Sequence, residues 1–211
     1  MSPVLLHGRI EDDTIFRLGQ ELRARRGELT TFDLVYADPP WGPGLLSAFH
    51  KMNKEQHALG AWGGFLASFA KQVVQVIRSE SLVFIDISNK HADDVQQAFE
   101  NYGIMQRARY EVGYRAGNKI NPHTLWLGSL SPIEVREPSQ PRMLLDRYDF
   151  VGMWASDLFG SSFTFLDPCF GLGILASRVA QYGAEIYGAE VNEDRLARGT
   201  AKVLKTLQIK R

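Results

Sequence analysis

The order of apolar runs and amphipathic segments along the chain predicts a sheet that is covered on both faces. Continuous apolar runs are typical of strands buried in a parallel sheet, and apolar residues at every third or fourth position are typical of helices that pack one face on it. The predicted strands are 4–8, 32–37, 81–88, 163–167 and 184–190. The predicted helices are 12–26, 58–78, 91–102, 143–158, one that ends at Gly183 and a last one that Asn192 caps. This alternation predicts an α/β fold with a mostly parallel sheet.

The pattern changes in the middle of the chain. Residues 104–115 alternate with period two, with Arg107, Arg109 and Arg115 on the wet face, and 123–128 is the predicted antiparallel partner strand. Residues 129–142 are rich in Ser, Pro, Glu and Arg and are predicted to be irregular. The polar stretch 47–57 is predicted as a mobile loop or short helix that carries binding groups.

Composition narrows the classes of function. The chain has 211 residues, enough for one domain, and zero formal net charge, so nucleic-acid binding would need local basic faces. The single cysteine excludes an internal disulfide and a cysteine-based zinc site. His50, His57, His91 and His123 lack metal-ligand spacing; we interpret them as surface or loop residues and predict no metal. Without a signal peptide or spanning run, the expected setting is the reducing cytosol.

The first candidate site is Asp38-Pro39-Pro40-Trp41, directly after the apolar strand 32–37. Two prolines end the ladder, because proline has no N–H to donate. The turn then presents a carboxylate, backbone carbonyls and an indole, which suit a planar amine: oxygens accept from the NH2 group while the indole stacks on the ring. A proline-stiffened loop with a core Trp is an equally good interpretation of these four residues alone.

The second candidate site runs from Phe165 to Glu190. Strand 163–167 ends in Asp167-Pro168, a Gly171-Leu172-Gly173 turn enters a helix, and the next strand ends in Glu190. Glycines let the backbone pass close to a ligand at a helix N-terminus, and an acid at the end of the second strand can accept both hydroxyls of a ribose. The full dinucleotide fingerprint is missing, so NAD fits poorly.

Together the two motifs resemble S-adenosylmethionine-dependent DNA amino-methyltransferases. Residues 165–173, read Phe-Leu-Asp-Pro-Cys-Phe-Gly-Leu-Gly, resemble the cofactor motif of the β group, in which the Asp-Pro-Pro motif comes first, as here. The resemblance covers nearly the whole chain. It implies a Rossmann-like class I methyltransferase with a seven-stranded sheet and an antiparallel hairpin at one edge. It also implies a single domain at 1–211, with a catalytic half at about 1–130, a cofactor half at about 140–211, and a short or absent target-recognition insertion at about 113–142.

The resemblance also implies site residues. The catalytic residues would be Asp38, Pro39, Pro40 and Trp41. S-adenosylmethionine would be held by Asp38, Asp167, Pro168, Phe170, Gly171, Gly173, Glu190 and Asn192. For the nucleic acid we predict contacts from Lys51, Lys54, Arg107, Arg109, Arg115 and Lys119.

The reaction that the resemblance implies is methyl transfer to the exocyclic N6 amine of adenine in DNA, with the base flipped over Trp41. An RNA adenosine methyltransferase, which shares the form ending in Trp, and a DNA N4-cytosine methyltransferase are the alternatives. A protein-glutamine methyltransferase is disfavoured by Asp38 and the motif order. Arg9 and Gln140 depart from the family pattern and leave open an inactive binding subunit. Many relatives dimerise, and the resemblance leaves both a monomer and a homodimer open.

Overall fold

A computed structural model describes residues 2–52, 62–116, 119–138 and 146–209. The chain forms a seven-stranded sheet in the order β1-β7-β6-β2-β3-β5-β4. Five neighbouring strands pair in parallel, and β5 runs antiparallel to both β3 and β4. The α/β prediction is therefore confirmed, including the antiparallel hairpin at one edge.

The strands are β1 (Val4–His7), β2 (Phe32–Ala37), β3 (Ile77–Ile87), β4 (Met105–Ala116), β5 (Lys119–Ser129), β6 (Thr164–Asp167) and β7 (Glu185–Glu190). The helices are α1 (Thr14–Arg26), α2 (Pro43–Met52), α3 (Trp62–Val74), α4 (Ala92–Glu100), α5 (Arg147–Phe159), α6 (Ile174–Val179) and α7 (Glu193–Ile209). No helix among the described residues is long and apolar enough to cross a membrane.

Two hydrophobic layers hold the helices against opposite faces of the sheet. One layer combines side chains of α1, α3 and α4, and the other combines side chains of α5, α6 and α7. Strand β2 contributes side chains to both layers, because Val35 faces the first layer and Tyr36 faces the second. All six residues of β2 are buried. This burial explains why its sequence is continuously apolar rather than alternating.

Several predicted boundaries differ from the observed ones. The helix predicted over 58–78 ends at Val74, because β3 already begins at Ile77; its residues 58–61 lie outside the described part. The stretch 47–57 is helical up to Met52, in α2, and its remainder is also outside. Asp13 stands at the N-cap of α1, but it adopts a left-handed conformation and its side chain makes no capping hydrogen bond.

The chain reverses direction across the sheet between β6 and β2. From β6 the next strand is β7 on one side, whereas from β2 the chain continues to β3 on the other. At such a switch point the loops after the two strands diverge and leave a crevice beyond their carboxyl ends. The two predicted motifs follow these two strands.

Candidate active site

The crevice at the switch point brings the two motifs together, although more than half of the chain separates them. Leu34 and Val35 of β2 pair with Phe165 and Leu166 of β6, so Asp38 and Asp167 follow neighbouring strands. A cavity of about 580 Å³ lies there, within the range of small-molecule sites. Its lining includes Asp38, Pro39, Pro40, Trp41, Asp167, Pro168, Phe170, Gly171 and Glu190.

The loop after β2 is held by its own groups. The Trp41 indole Nε1 donates to Asp38 Oδ1 at 2.8 Å, and the Gly42 N–H donates to the Pro40 carbonyl at 2.9 Å. Gly42 has a φ of 122°, and a Cβ there would lie 2.4 Å from the His91 ring. Glycine is therefore required where the loop turns into α2.

Asp38 is open to solvent through the cavity, although protein groups surround its carboxylate on the other sides. Desolvation by these groups, and next the negative charge of Asp86, raise the pKa of Asp38 to about 6, against the smaller opposing effect of the Trp41 hydrogen bond. The carboxyl group therefore titrates close to neutral pH, which is typical of functional carboxylates.

The loop after β6 is built by backbone groups. Gly171 and Gly173 have φ values of 54° and 65°, a region that favours glycine. The Cys169 N–H donates to Asp167 Oδ1 at 3.1 Å, and the Phe170 N–H donates to the Ala189 carbonyl at 2.8 Å. Burial raises the pKa of Asp167 well above its usual value.

Glu190 joins this loop to the end of β7. The Gly171 N–H donates to its Oε2 at 2.8 Å, and the Asn192 N–H donates to its Oε1 at 2.9 Å. Each carboxylate oxygen keeps a second lone pair for a ligand. Because both bonds come from backbone amides, the carboxylate is fixed before any ligand arrives.

A buried polar cluster lies behind the loop after β2. Its centre is Asp86 on β3, which accepts from the Nε of Arg147 and from the Tyr36 hydroxyl at 3.3 Å. The Nε2 of His123, on β5, lies 2.6 Å from Asp86 Oδ1, although the alignment of the two groups does not meet hydrogen-bond geometry. Arg147 also donates to the Tyr148 hydroxyl at 2.9 Å, and both residues line the cavity.

The interpretation of His123 as a surface or loop residue is wrong, because it is fully buried within β5. Its partners were also missed. Strand periodicity contained a signal: His123 shares one side of β5 with the buried Leu125 and Leu127. Asp86 inside an apolar strand was a second signal, since a buried carboxylate needs partners.

Two predicted cofactor residues support the cavity without lining it. Gly173 begins α6 and packs so tightly on α7 that a Cβ would lie 2.8 Å from the Gly199 carbonyl oxygen. The Asn192 side chain accepts from the Arg195 N–H at 3.0 Å, so it caps α7 as predicted.

The predicted nucleic-acid residues that the structure describes differ in their surroundings. Arg109 pairs with Asp93 at 2.7 Å, and Arg107 donates to the Ser129 hydroxyl at 2.8 Å. Lys51 and Lys119 are exposed. Lys54 and the side chain of Arg115 lie outside the described residues. Among the described residues, no group of three or more His, Cys, Asp or Glu could hold a metal ion.

Comparison with solved structures identifies the fold. The chain is similar to M1.HpyAVI, with 12% identity, a TM-score of 0.58, and coverage of 95% of this chain and 98% of that one. It is also similar to TTHA0409 of Thermus thermophilus, described as a DNA modification methylase, with 15% identity, a TM-score of 0.62, and coverage of 98% of this chain and 96% of that one. Its similarity to the cytosine-N4-specific PvuII DNA methyltransferase has 10% identity, a TM-score of 0.60, and coverage of 99% of this chain and 92% of that one. No family model matches the chain, and no curated protein matches it significantly. The Rossmann-like fold of methyltransferases is thus confirmed over nearly the full length of the chain.

Proposed function

We propose that the protein transfers a methyl group from S-adenosylmethionine to the exocyclic N6 amine of adenine in DNA. The observation that carries this proposal is that one cavity contains two carboxylates with different surroundings. Glu190 is fixed by backbone amides, as a ribose ligand should be. Asp38 stands on the neighbouring side beside an indole, as an amine acceptor should.

The residues of the cavity fit S-adenosylmethionine. Glu190 and Asp167 supply acceptor oxygens for the ribose and the amino group, and Pro168, Phe170 and Leu175 supply apolar surface for the adenine ring. The fold supports the same ligand, since M1.HpyAVI and TTHA0409 were each solved in complex with S-adenosylmethionine. When bound, the cofactor supplies a methyl group on a positively charged sulfur.

The catalytic loop leaves two acceptors for the target amine. Trp41 occupies Asp38 Oδ1, and Gly42 occupies the Pro40 carbonyl. Within the described part of the chain, no hydrogen bond engages Asp38 Oδ2 or the Pro39 carbonyl, and we assign these oxygens to the two hydrogens of the amine. Accepting both would favour a pyramidal nitrogen and stabilise the positive charge that develops on it.

Trp41 completes the pocket as the surface on which a flipped base stacks. Adenine is our choice because the motif begins with Asp38 and ends in Trp41, the form that resembles N6-adenine enzymes. The alternatives are N4 of cytosine, the base named for the PvuII neighbour, and adenosine in RNA. A catalytically inactive binding subunit is the alternative outside enzymes.

Contact with the DNA backbone would come from the exposed Lys51 and Lys119, together with Lys54 and Arg115. Arg107 and Arg109 would contribute only donors that their intramolecular contacts leave available. Because this set is small, we expect short or lax sequence recognition, or help from a second copy in a homodimer.

Two measurements test the function. Calorimetry should show binding of S-adenosylmethionine by the protein alone; its absence would contradict the enzyme proposal. Labelled methyl transfer to duplex DNA, single-stranded DNA and RNA, followed by mass spectrometry of the nucleosides, should give N6-methyladenine in DNA. N4-methylcytosine, or activity on RNA alone, would select one of the alternatives.

A further inference from the structure

His123, of the buried cluster, contacts Trp41 on the loop after β2. The centroids of the two rings lie 4.7 Å apart, and the ring planes are inclined by 31°. At this distance and tilt the two rings are in direct contact. His123 itself does not line the cavity, whereas Trp41 does.

Trp41 passes this contact on to Asp38. Its indole Nε1 donates to Asp38 Oδ1 at 2.8 Å, which fixes the rotation of the carboxylate. A tilted indole would release Oδ1 and let the carboxylate turn Oδ2 away from the amine. The orientation of the acceptor thus depends on what supports the indole from behind.

His123 is well placed to provide that support, because it is held on two sides. Its Nε2 meets the Asp86 carboxylate at 2.6 Å, and its Nδ1 lies 3.3 Å from the Asn121 carbonyl oxygen. Asp86 is in turn held by Arg147 and Tyr36. His123 and Asp86 are both fully buried, so the surrounding side chains keep the His123 ring from rotating out of this position.

We propose that His123 is a positioning residue: its ring, anchored by Asp86, holds the Trp41 indole on Asp38 and thereby sets which carboxylate oxygen faces the target amine. This inference rests on the proposed methyl transfer. Nothing in the two sequence motifs requires it, since His123 is contributed by the hairpin strand β5.

Two substitutions separate the two properties of the side chain. His123→Phe keeps a ring against Trp41 and removes both ring nitrogens. His123→Gln keeps a donor at the position of Nε2 and removes the ring. If the ring positions Trp41, His123→Gln should lower kcat by about tenfold to a hundredfold, the cost of a displaced reacting group. His123→Phe keeps a ring but loses its anchor on Asp86, so it should lower kcat by less than His123→Gln. The dissociation constant for S-adenosylmethionine, measured by calorimetry, should stay within about threefold in both.

The effect of His123 on the pKa of Asp38 can be measured separately. Asp38 is faced by the charged or titratable groups Asp86 and His123 from the two neighbouring strands, Arg147 and Tyr148 from α5, Tyr36 from β2, and Asp167 and Cys169 from the β6 loop. His123 lowers the pKa of Asp38, whereas Asp86 raises it. His123→Phe should therefore raise the pKa of Asp38, which carbon-13 NMR of labelled aspartate can follow in the protein without any substrate.

The experiments distinguish a failure of the proposed methyl transfer from a failure of the proposed role of His123. If the wild-type protein transfers no methyl group to any substrate, the proposed function fails, while the NMR titration still tests the contact. If the wild type is active and both His123 variants keep normal kcat and an unchanged Asp38 titration, the positioning role is wrong. Equal loss of kcat in both variants would show that the ring is not the property that matters.

A third variant keeps the test open if the buried substitutions prevent folding. Trp41→Phe lies on the loop, keeps an aromatic six-membered ring and removes the indole N–H together with the five-membered ring that carries it. It should reproduce the kcat loss of His123→Gln with cofactor affinity intact, and a normal kcat in Trp41→Phe would overturn the proposal.

Discussion

The two sides of the cavity are organised by different parts of the chain. On the proposed cofactor side, Glu190 and Asp167 are fixed by backbone amides of residues close to them in sequence or in the adjoining loop. On the proposed catalytic side, Asp38 is fixed by Trp41, which packs on His123 from a distant strand. A site built from backbone tolerates many side chains, whereas a site built from side chains depends on each of them.

The largest expected effect concerns Asp38 itself. Asp38→Asn should lower kcat by about 1,000-fold or more, because one strong charged acceptor is lost where charge develops, and the dissociation constant for S-adenosylmethionine should stay within a few fold. Radiolabelled methyl transfer and calorimetry measure the two. Asp157→Asn, a surface acid on α5, is the control and should be normal. Near-full activity of Asp38→Asn would contradict the proposed role of the Asp38 carboxylate as the acceptor for the target amine.

On the cofactor side, Glu190→Gln should raise the dissociation constant for S-adenosylmethionine by about tenfold to a hundredfold. The new amide NH2 would face one of the two backbone N–H groups that now donate to the carboxylate, which leaves a buried donor unpaired. Calorimetry measures the change, and Glu193→Gln, an exposed acid three residues on, is the matched control. Equal affinity in both variants would contradict a role for Glu190 as a ligand.

At saturating cofactor, the pH dependence of kcat should report the ionisation of Asp38. Desolvation by the walls of the cavity raises the pKa of Asp38 to about 6, and the ionised form is the acceptor, so kcat should be full above about pH 7 and fall about tenfold by about pH 5. Rates at saturating cofactor give the profile, and affinities measured at the same pH values separate binding from chemistry. A limb near pH ~4 would show that Asp38 has its ordinary pKa.

The smallest effect is on stability and compares two glycines of one loop. Gly173→Ala should lower the free energy of unfolding by about 3 kcal/mol, because its Cβ meets the backbone of Gly199 in addition to the strained φ. Gly171→Ala should cost only about 1 kcal/mol, since its nearest foreign atom is 3.7 Å away. Urea unfolding measures both. Equal costs would mean that α7 yields, and that the cofactor side is less rigid than its hydrogen bonds indicate.

The sequence predicts features that depend on local patterns better than features that depend on distant side chains. The strand ends at Asp38, Asp167 and Glu190 follow local patterns of apolar runs, prolines and glycines, and their meeting follows from the topology of a parallel sheet. Helix ends were harder: the helix predicted to reach residue 78 stops at Val74, because Ile77 already pairs with Phe32 in the sheet. Tertiary pairing overrides local periodicity there.

The His123 cluster could not be assembled from sequence motifs. Asp86, His123 and Arg147 come from β3, β5 and α5, so no spacing rule links them. Each carries a partial signal, because each shares an apolar strand or helix face with buried residues. Only the sheet order, with β5 inserted beside β3, shows that the three side chains meet.

The switch point between β6 and β2 has a consequence for how this site can be rearranged. The two halves of the cavity are joined by the ladder between Leu34–Val35 and Phe165–Leu166, not by a short connecting segment. Their order along the polypeptide is therefore geometrically free. A gene in which the half that carries Glu190 is translated before the half that carries Asp38 should encode the same cavity, provided that the strands still pair in this order.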